Sequence, residues 1–259
     1  YTVGFNLSDY QSEVTKFDNE SKELGNWYVG QKQGEIWGYE TYGLFQSEQE
    51  IAGAANQDKV SGGIKLMPGD IRFVDRNNDG VIDWGDNTVD NPGDKKIIGN
   101  STPRYHYGIN LGADWKGFDL GIFFQGVGKR DLYLPGTSFR SHYGSEWQVP
   151  SAYNNDYWTE ENTGAYFPRA RFNGGSAINQ AQTRYMVDAS YCRLKSLSIG
   201  YTLPKVLTQK ASIEKIRIYF TGENLFTISD TPDGLDPELD NPYTYPMQRS
   251  LSVGLSLTF

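Results

Sequence analysis

Twelve residues, Asp75 to Asp86, carry the clearest pattern of coordinating side chains in this chain. With Asp75 at position 1, side-chain oxygens fall at positions 1, 3, 5, 9 and 12 as Asp75, Asn77, Asp79, Asp83 and Asp86. Gly80 at position 6 allows the sharp turn, the carbonyl of Val81 serves position 7, and apolar Ile82 at position 8 anchors the loop. Hard oxygen donors around a flexible ring predict Ca²⁺, with Mg²⁺ as the second fit, over a transition metal. Two features depart from an EF-hand. Position 12 is Asp86 rather than a longer Glu, which makes bidentate ligation harder. The flanks, 69–74 and 95–99, read as extended rather than helical. The expectation is a lone structural site that stiffens a loop, not a sensor. A metal-free run of Asx turns is the alternative for the same residues.

A second group, Tyr143, Trp147, Tyr157 and Trp158, offers aromatic faces that could stack on a sugar ring or a peptide side chain. These rings could equally form a loop's own small core. Arg169 and Arg171 nearby could meet an acidic substrate or the neighbouring carboxylates. Catalytic chemistry is not legible. The two histidines, His106 and His142, accompany no nucleophile elbow, HExxH or phosphate loop. Cys192 has no recognisable catalytic partner, and as the sole cysteine it forms no intrachain disulfide. The chain does not read as an enzyme.

The elements that must position these groups are strands. In the last eleven residues Leu251, Val253, Leu255, Leu257 and Phe259 alternate with Ser250, Ser252, Gly254, Ser256 and Thr258. Successive side chains of a strand point to opposite faces, so this ribbon is apolar on one side and small and polar on the other. A soluble edge strand that bare would invite aggregation, whereas a lipid-facing barrel wall requires it. The opening residues repeat the pattern, with Tyr1, Val3, Phe5 and Leu7 against Thr2, Gly4, Asn6 and Ser8, and the register weakens toward Phe17. A hairpin follows at 105–128: Tyr105, Tyr107, Ile109, Leu111, Ala113 and Trp115 turn through Lys116-Gly117 into Phe118, Leu120, Ile122 and Phe124. Its aromatics cluster at the strand ends, as interfacial girdles do.

Three further strands occupy 190–259, with an acidic, Pro-rich loop at 229–246. Between the strands lie a long polar insert, 18–104, holding a short helix at 47–55 and the cation loop, and a second long loop, 129–189. Ser47 with Glu50 three residues on marks the helix start. Long and short connections alternate, as in outer-membrane barrels with long outer loops and brief periplasmic turns. The predicted fold is therefore all-β, an antiparallel transmembrane barrel segment of about six strands, with 1–17 as the first. Six strands cannot close, since about eight is the lower limit, so more strands must come from elsewhere. A complete small barrel recruiting 36–45 and 71–74 is one rival. A soluble, secreted Ca²⁺-binding β-sandwich that recognises carbohydrate is another.

Net charge of −8 and a pI near 4.9 argue against nucleic acid as a partner. No apolar run is long enough for a spanning helix, and a mean hydropathy of −0.59 does not exclude a barrel with half-polar strands. The start at Tyr1, without an initiator Met or signal peptide, reads as a mature piece or internal fragment.

Several segments recur in order along nearly the whole chain and together resemble the C-terminal part of the SusC/RagA family of TonB-dependent outer-membrane transporters. They are IWGYETYGLFQSEQEI at 36–51, GDIRFVDRNNDGVID at 69–83 and IIGNSTPRYHYGINLGADWKGFDLGIFFQGVG at 97–128. YCRLKSLSIGYTLP at 191–204, IRIYFTGENLFTI at 216–228, GLDPE at 234–238 and the terminal LSVGLSLTF complete the set. The resemblance implies a barrel of about 22 strands with an N-terminal plug. It also implies a SusD-like surface lipoprotein as lid, and import of oligosaccharides or oligopeptides driven through TonB. Plug and TonB contacts fall outside this chain, so the resemblance gives these residues the parts of wall, outer loops and lid-facing surface in the outer-membrane lipid.

Overall fold

Alternation at period two becomes a single antiparallel sheet whose apolar residues share one face. A computed structural model describes residues 1–133, 156–171, 176–208, 212–232, 235–239, 244–245 and 247–259. In chain order the elements are β1 (Thr2–Ser8), β2 (Glu35–Tyr39), β3 (Thr41–Leu44), α1 (Glu48–Ala52), α2 (Asp58–Ser61), β4 (Ile71–Phe73), β5 (Lys95–Asn100) and β6 (Arg104–Trp115). Then come β7 (Phe118–Lys129), β8 (Asp131–Tyr133), β9 (Met186–Asp188), β10 (Tyr191–Thr202), β11 (Lys215–Glu223), β12 (Thr227–Ser229) and β13 (Ser250–Thr258).

The large sheet runs β1-β6-β7-β10-β11-β13, antiparallel throughout, with β12 pairing β10. Its registers set Phe5 opposite Ile109, Ile109 opposite Phe124, Leu120 opposite Ile199, Ile199 opposite Phe220, and Phe220 opposite Val253. A one-residue slip at any pair would turn that strand's apolar set to the other side. The face is open: Val3 is 70% exposed, Ile199 43%, Val253 78% and Leu255 60%. A sandwich would bury these residues under a second sheet. They are not buried, so the two-layer alternative fails here.

The other face is small, polar and charged, with Asn6, Gly108 and Gln125 in one row and Gly200, Tyr219 and Gly254 in another. The β6–β7 turn has Lys116 and Gly117 both at positive φ, 47° and 88°, as a two-residue hairpin of matching twist requires. A β-bulge between Leu194 and Ser196 leaves Lys195 outside the ladder with β7.

By contact the chain divides into two units. One comprises 1–10, 103–131 and 188–259, which carries the large sheet; the other comprises 11–102 and 132–187. The first strand closes at Ser8, earlier than the predicted 17, and Gln11 onward belongs to the second unit. Segments 36–45 and 71–74 do form strands. They pair as β2–β5 and β3–β4 and do not join the large sheet. The helix prediction yields α1, where the Ser47 hydroxyl accepts the Glu50 N–H at 3.2 Å and the Glu50 carboxylate accepts the Gln46 N–H at 2.9 Å.

Among the described residues the second unit has one core, to which both long connections contribute. Tyr39, Ile71, Phe73 and Ile82 from one pack with Trp158, Phe167, Ile178 and Tyr185 from the other. Buried Gln57 replaces a missing ladder there, donating to the Ile71 carbonyl at 2.8 Å and accepting the Phe73 N–H at 3.4 Å.

Candidate functional site

The cation-type loop folds as a nest of Asx turns. Asp75 accepts the N–H groups of Asn78 at 2.7 Å and Gly80 at 2.9 Å, Asn77 accepts Asp79 N–H at 3.1 Å, and Asp79 accepts Val81 N–H at 2.8 Å. Asn78 and Gly80 take the positive φ values that the turn needs. Ile82 is fully buried, as an anchor should be. Asp75, Asn77, Asp79 and Val81 thus sit in one turn. The remaining two ligand positions are engaged elsewhere. Asp83 pairs with Lys59 Nζ at 2.7 Å and accepts Gly85 N–H, and Asp86 accepts Asn91 Nδ2 at 2.8 Å. Among the described residues, no three acidic, His or Cys side chains gather closely enough to hold an ion. The Lys59 hydrogen bond, with Gly85 N–H, holds the Asp83 carboxyl below its usual range.

Asp94, which composition and spacing did not single out, organises this loop. Fully buried, it accepts Arg76 N–H and Asp83 N–H, each at 2.8 Å, so it ties both ends of the turn. Burial raises its pKa against the pull of those two bonds. No motif announces such a residue, because its partners are backbone groups.

Among the aromatics, Tyr143 and Trp147 lie outside the described residues. Trp158 is only 3% exposed and belongs to the core; its Nε1 donates to Gln46 Oε1 at 3.2 Å, and the Arg169 guanidinium lies 4.9 Å above its ring. Close packing onto Gly69 is part of the reason, since a Cβ there would stand 2.6 Å from the ring. Tyr157 is partly exposed and shares a shallow groove of about 300 Å³ with Glu160, Glu161 and Arg169. Arg171 pairs with buried Asp70 at 2.7 Å.

In the sheet-bearing unit the charged groups collect on the polar face. Arg217 on β11 reaches Asp119 on β7 at 2.5 Å, passing over Gly200 of the intervening strand. His106 stacks on Tyr10 with ring centroids 6.1 Å apart. At the strand ends facing the long connections, Arg193 and Lys195 meet Asp236 and Glu238 of the GLDPE segment at 2.7–3.1 Å. A sheet bare and apolar on one side and charged on the other can line an aqueous passage through lipid. The described residues hold no helix long and apolar enough to cross a membrane.

No protein-family model matches the chain. TonB-dependent receptor P3 of Formosa agariphila is 32% identical over 248 residues, which cover 89% of this chain and 22% of that protein. TonB-dependent receptor SusC of Bacteroides thetaiotaomicron is 29% identical over 194 residues, 72% of this chain and 17% of its own length. The RagAB peptide transporter structure superposes with a TM-score of 0.69 at 21% identity, covering 99% of this chain and 27% of that one. The chain thus spans about a quarter or less of the relatives that it matches.

Proposed function

The chain belongs to the SusC/RagA family of TonB-dependent outer-membrane transporters, as a segment of a longer barrel, and on that premise we propose that it walls and rims a nutrient importer. The apolar face meets lipid, the polar face lines the passage, and the two long connections are extracellular loops. One observation carries this reading: the six paired strands turn their apolar residues to one open face, in a register interrupted only by the bulge at Lys195. The cargo is an oligosaccharide or an oligopeptide, and a SusD-like lipoprotein closes over the mouth. TonB acts through a plug supplied by the rest of such a transporter. The test is uptake by cells carrying the full-length transporter, with and without residues 18–104, offered labelled oligopeptides and oligosaccharides in parallel. Loss of one cargo class on deletion is expected. Undiminished uptake of both would overturn the assignment of the insert to the mouth.

The Asx-turn loop supports Ca²⁺ binding in a restricted form. Asp75, Asn77, Asp79 and the Val81 carbonyl would supply the first donors, and Asp83 would join only by leaving Lys59. Calorimetric titration of the purified transporter with Ca²⁺ and with Mg²⁺ decides it. Heat that vanishes in Asp75→Ala supports the site, and no heat at millimolar ion sinks it.

A further inference from the structure

The GLDPE segment marks the family resemblance, yet nothing in the importer reading gives it a task. Arg193 and Asp236 are both almost fully buried, with Nη2 to Oδ1 at 2.7 Å; Glu238 takes Arg193 Nη1 at 3.1 Å and Lys195 Nζ at 2.9 Å. Buried Arg130 donates to the Pro237 carbonyl at 2.7 Å. The β-bulge matters here, because the extra residue is Lys195 itself, freed from the ladder to reach Glu238. Asp236 also accepts Glu238 N–H and Met247 N–H, each at 3.0 Å, and so joins two stretches of the β12–β13 connection. In register Arg193 pairs with Gln125, which places it on the sheet's polar face.

We propose that Asp236-Pro237-Glu238 is an ion-pair latch that fixes residues 235–239, and through Asp236 also Met247, against the polar face of the wall as a static element of the passage lining. Opening it would strand Arg193 and Lys195 without counter-ions where little water reaches, so the motion of import belongs to other connections. A pocket of about 330 Å³, lined by Arg193, Asn224, Phe226, Leu235, Met247 and Arg249, borders the latch.

The inference rests on the polar face lining the passage, but its test does not depend on cargo. Hydrogen–deuterium exchange is measured on the full-length transporter, native and as Asp236→Asn/Glu238→Gln, with barrel integrity read from heat-dependent gel mobility. About tenfold or faster exchange confined to 235–239 and Met247, with the strands unchanged, is the expected result. Unchanged exchange there in a folded variant overturns the latch and leaves the importer reading standing. Should the double variant not fold, Glu238→Gln alone, on the less buried carboxylate, is read the same way. It should give a smaller rise in exchange, and no rise overturns the proposal.

Discussion

Single residues in the second unit hold its turns through backbone groups, and this makes their substitution costs predictable. Asp94→Asn replaces one acceptor oxygen with a donor facing either Arg76 N–H or Asp83 N–H. A buried N–H left unpaired costs about 1–3 kcal/mol, so amide exchange at Arg76 and Asp83 should rise by that amount. Equal protection in the variant would show that the turn holds without the carboxylate. Gly69→Ala faces two penalties together. Its φ of +93° strains any side chain, and its Cβ would meet the Trp158 ring at 2.6 Å and Arg169 Cβ at 2.7 Å. A loss of about 1–3 kcal/mol with red-shifted Trp fluorescence is expected; native emission would mean that Trp158 is not packed on this backbone. The turn chemistry of this loop was legible, since Asp, Asn and Gly at fixed spacing dictate Asx turns. Two facts were not: that Lys59 lies against Asp83, and that Trp158 is enclosed. Both depend on contacts between distant segments, which spacing does not encode.

At the scale of elements, the strand faces are the most sequence-determined feature, because a two-residue period admits only one assignment once a side must meet lipid. Leu255→Arg puts a charge on the open face and should cost roughly 2–4 kcal/mol if it lies near the bilayer midplane. Ser256→Arg, one residue along on the sheet's polar face, meets Arg217 as a like charge, but Arg217 is itself paired with Asp119, so the change should cost less, about 1 kcal/mol or below. Urea unfolding of the full-length transporter in liposomes compares them; equal costs would mean the two faces share one environment. The bulge at Lys195 escaped the sequence reading, since one unpaired residue leaves the neighbouring pattern intact. Its meaning appears only with Glu238 in place. Asp236 also sets how the latch responds to acid. Burial alone would raise its pKa, but the Arg193 bond, the Glu238 and Met247 amides and the Arg193 charge bring it below the ordinary value. Its stabilisation is therefore complete above the unfolded value of about 3.9 and is lost as pH falls through the lower folded value. Protection from exchange in 235–239 and at Met247, corrected for the pH dependence of the intrinsic rate, should stay flat from about pH 8 to 5; a loss of protection near pH 6 would mean that another group controls the latch.

For the whole molecule, the sheet leaves β1 and β13 as its outer edges, each paired on one side only. Every backbone group left unpaired in hydrocarbon costs several kcal/mol, so this sheet cannot rest in a bilayer with both edges bare. The need for more strands is a reading of the strand count alone, and the relatives are several times this chain's length. The joint folding of the two long connections was not legible, because their shared core links residues more than a hundred positions apart. Together these facts give the chain two independent halves of behaviour. Refolded alone into liposomes, it should show no heat-dependent gel shift, while the second unit keeps its buried Trp158 and Gln57 protected from exchange. Co-refolding with the remainder of a SusC/RagA transporter should restore the shift. A monomeric, cooperatively unfolding barrel from this chain alone would show that its two edges pair with each other, and the wall-segment reading would fall. A shift that appears only at high concentration would place several copies around one ring, keeping the lipid-facing wall while removing the need for further strands.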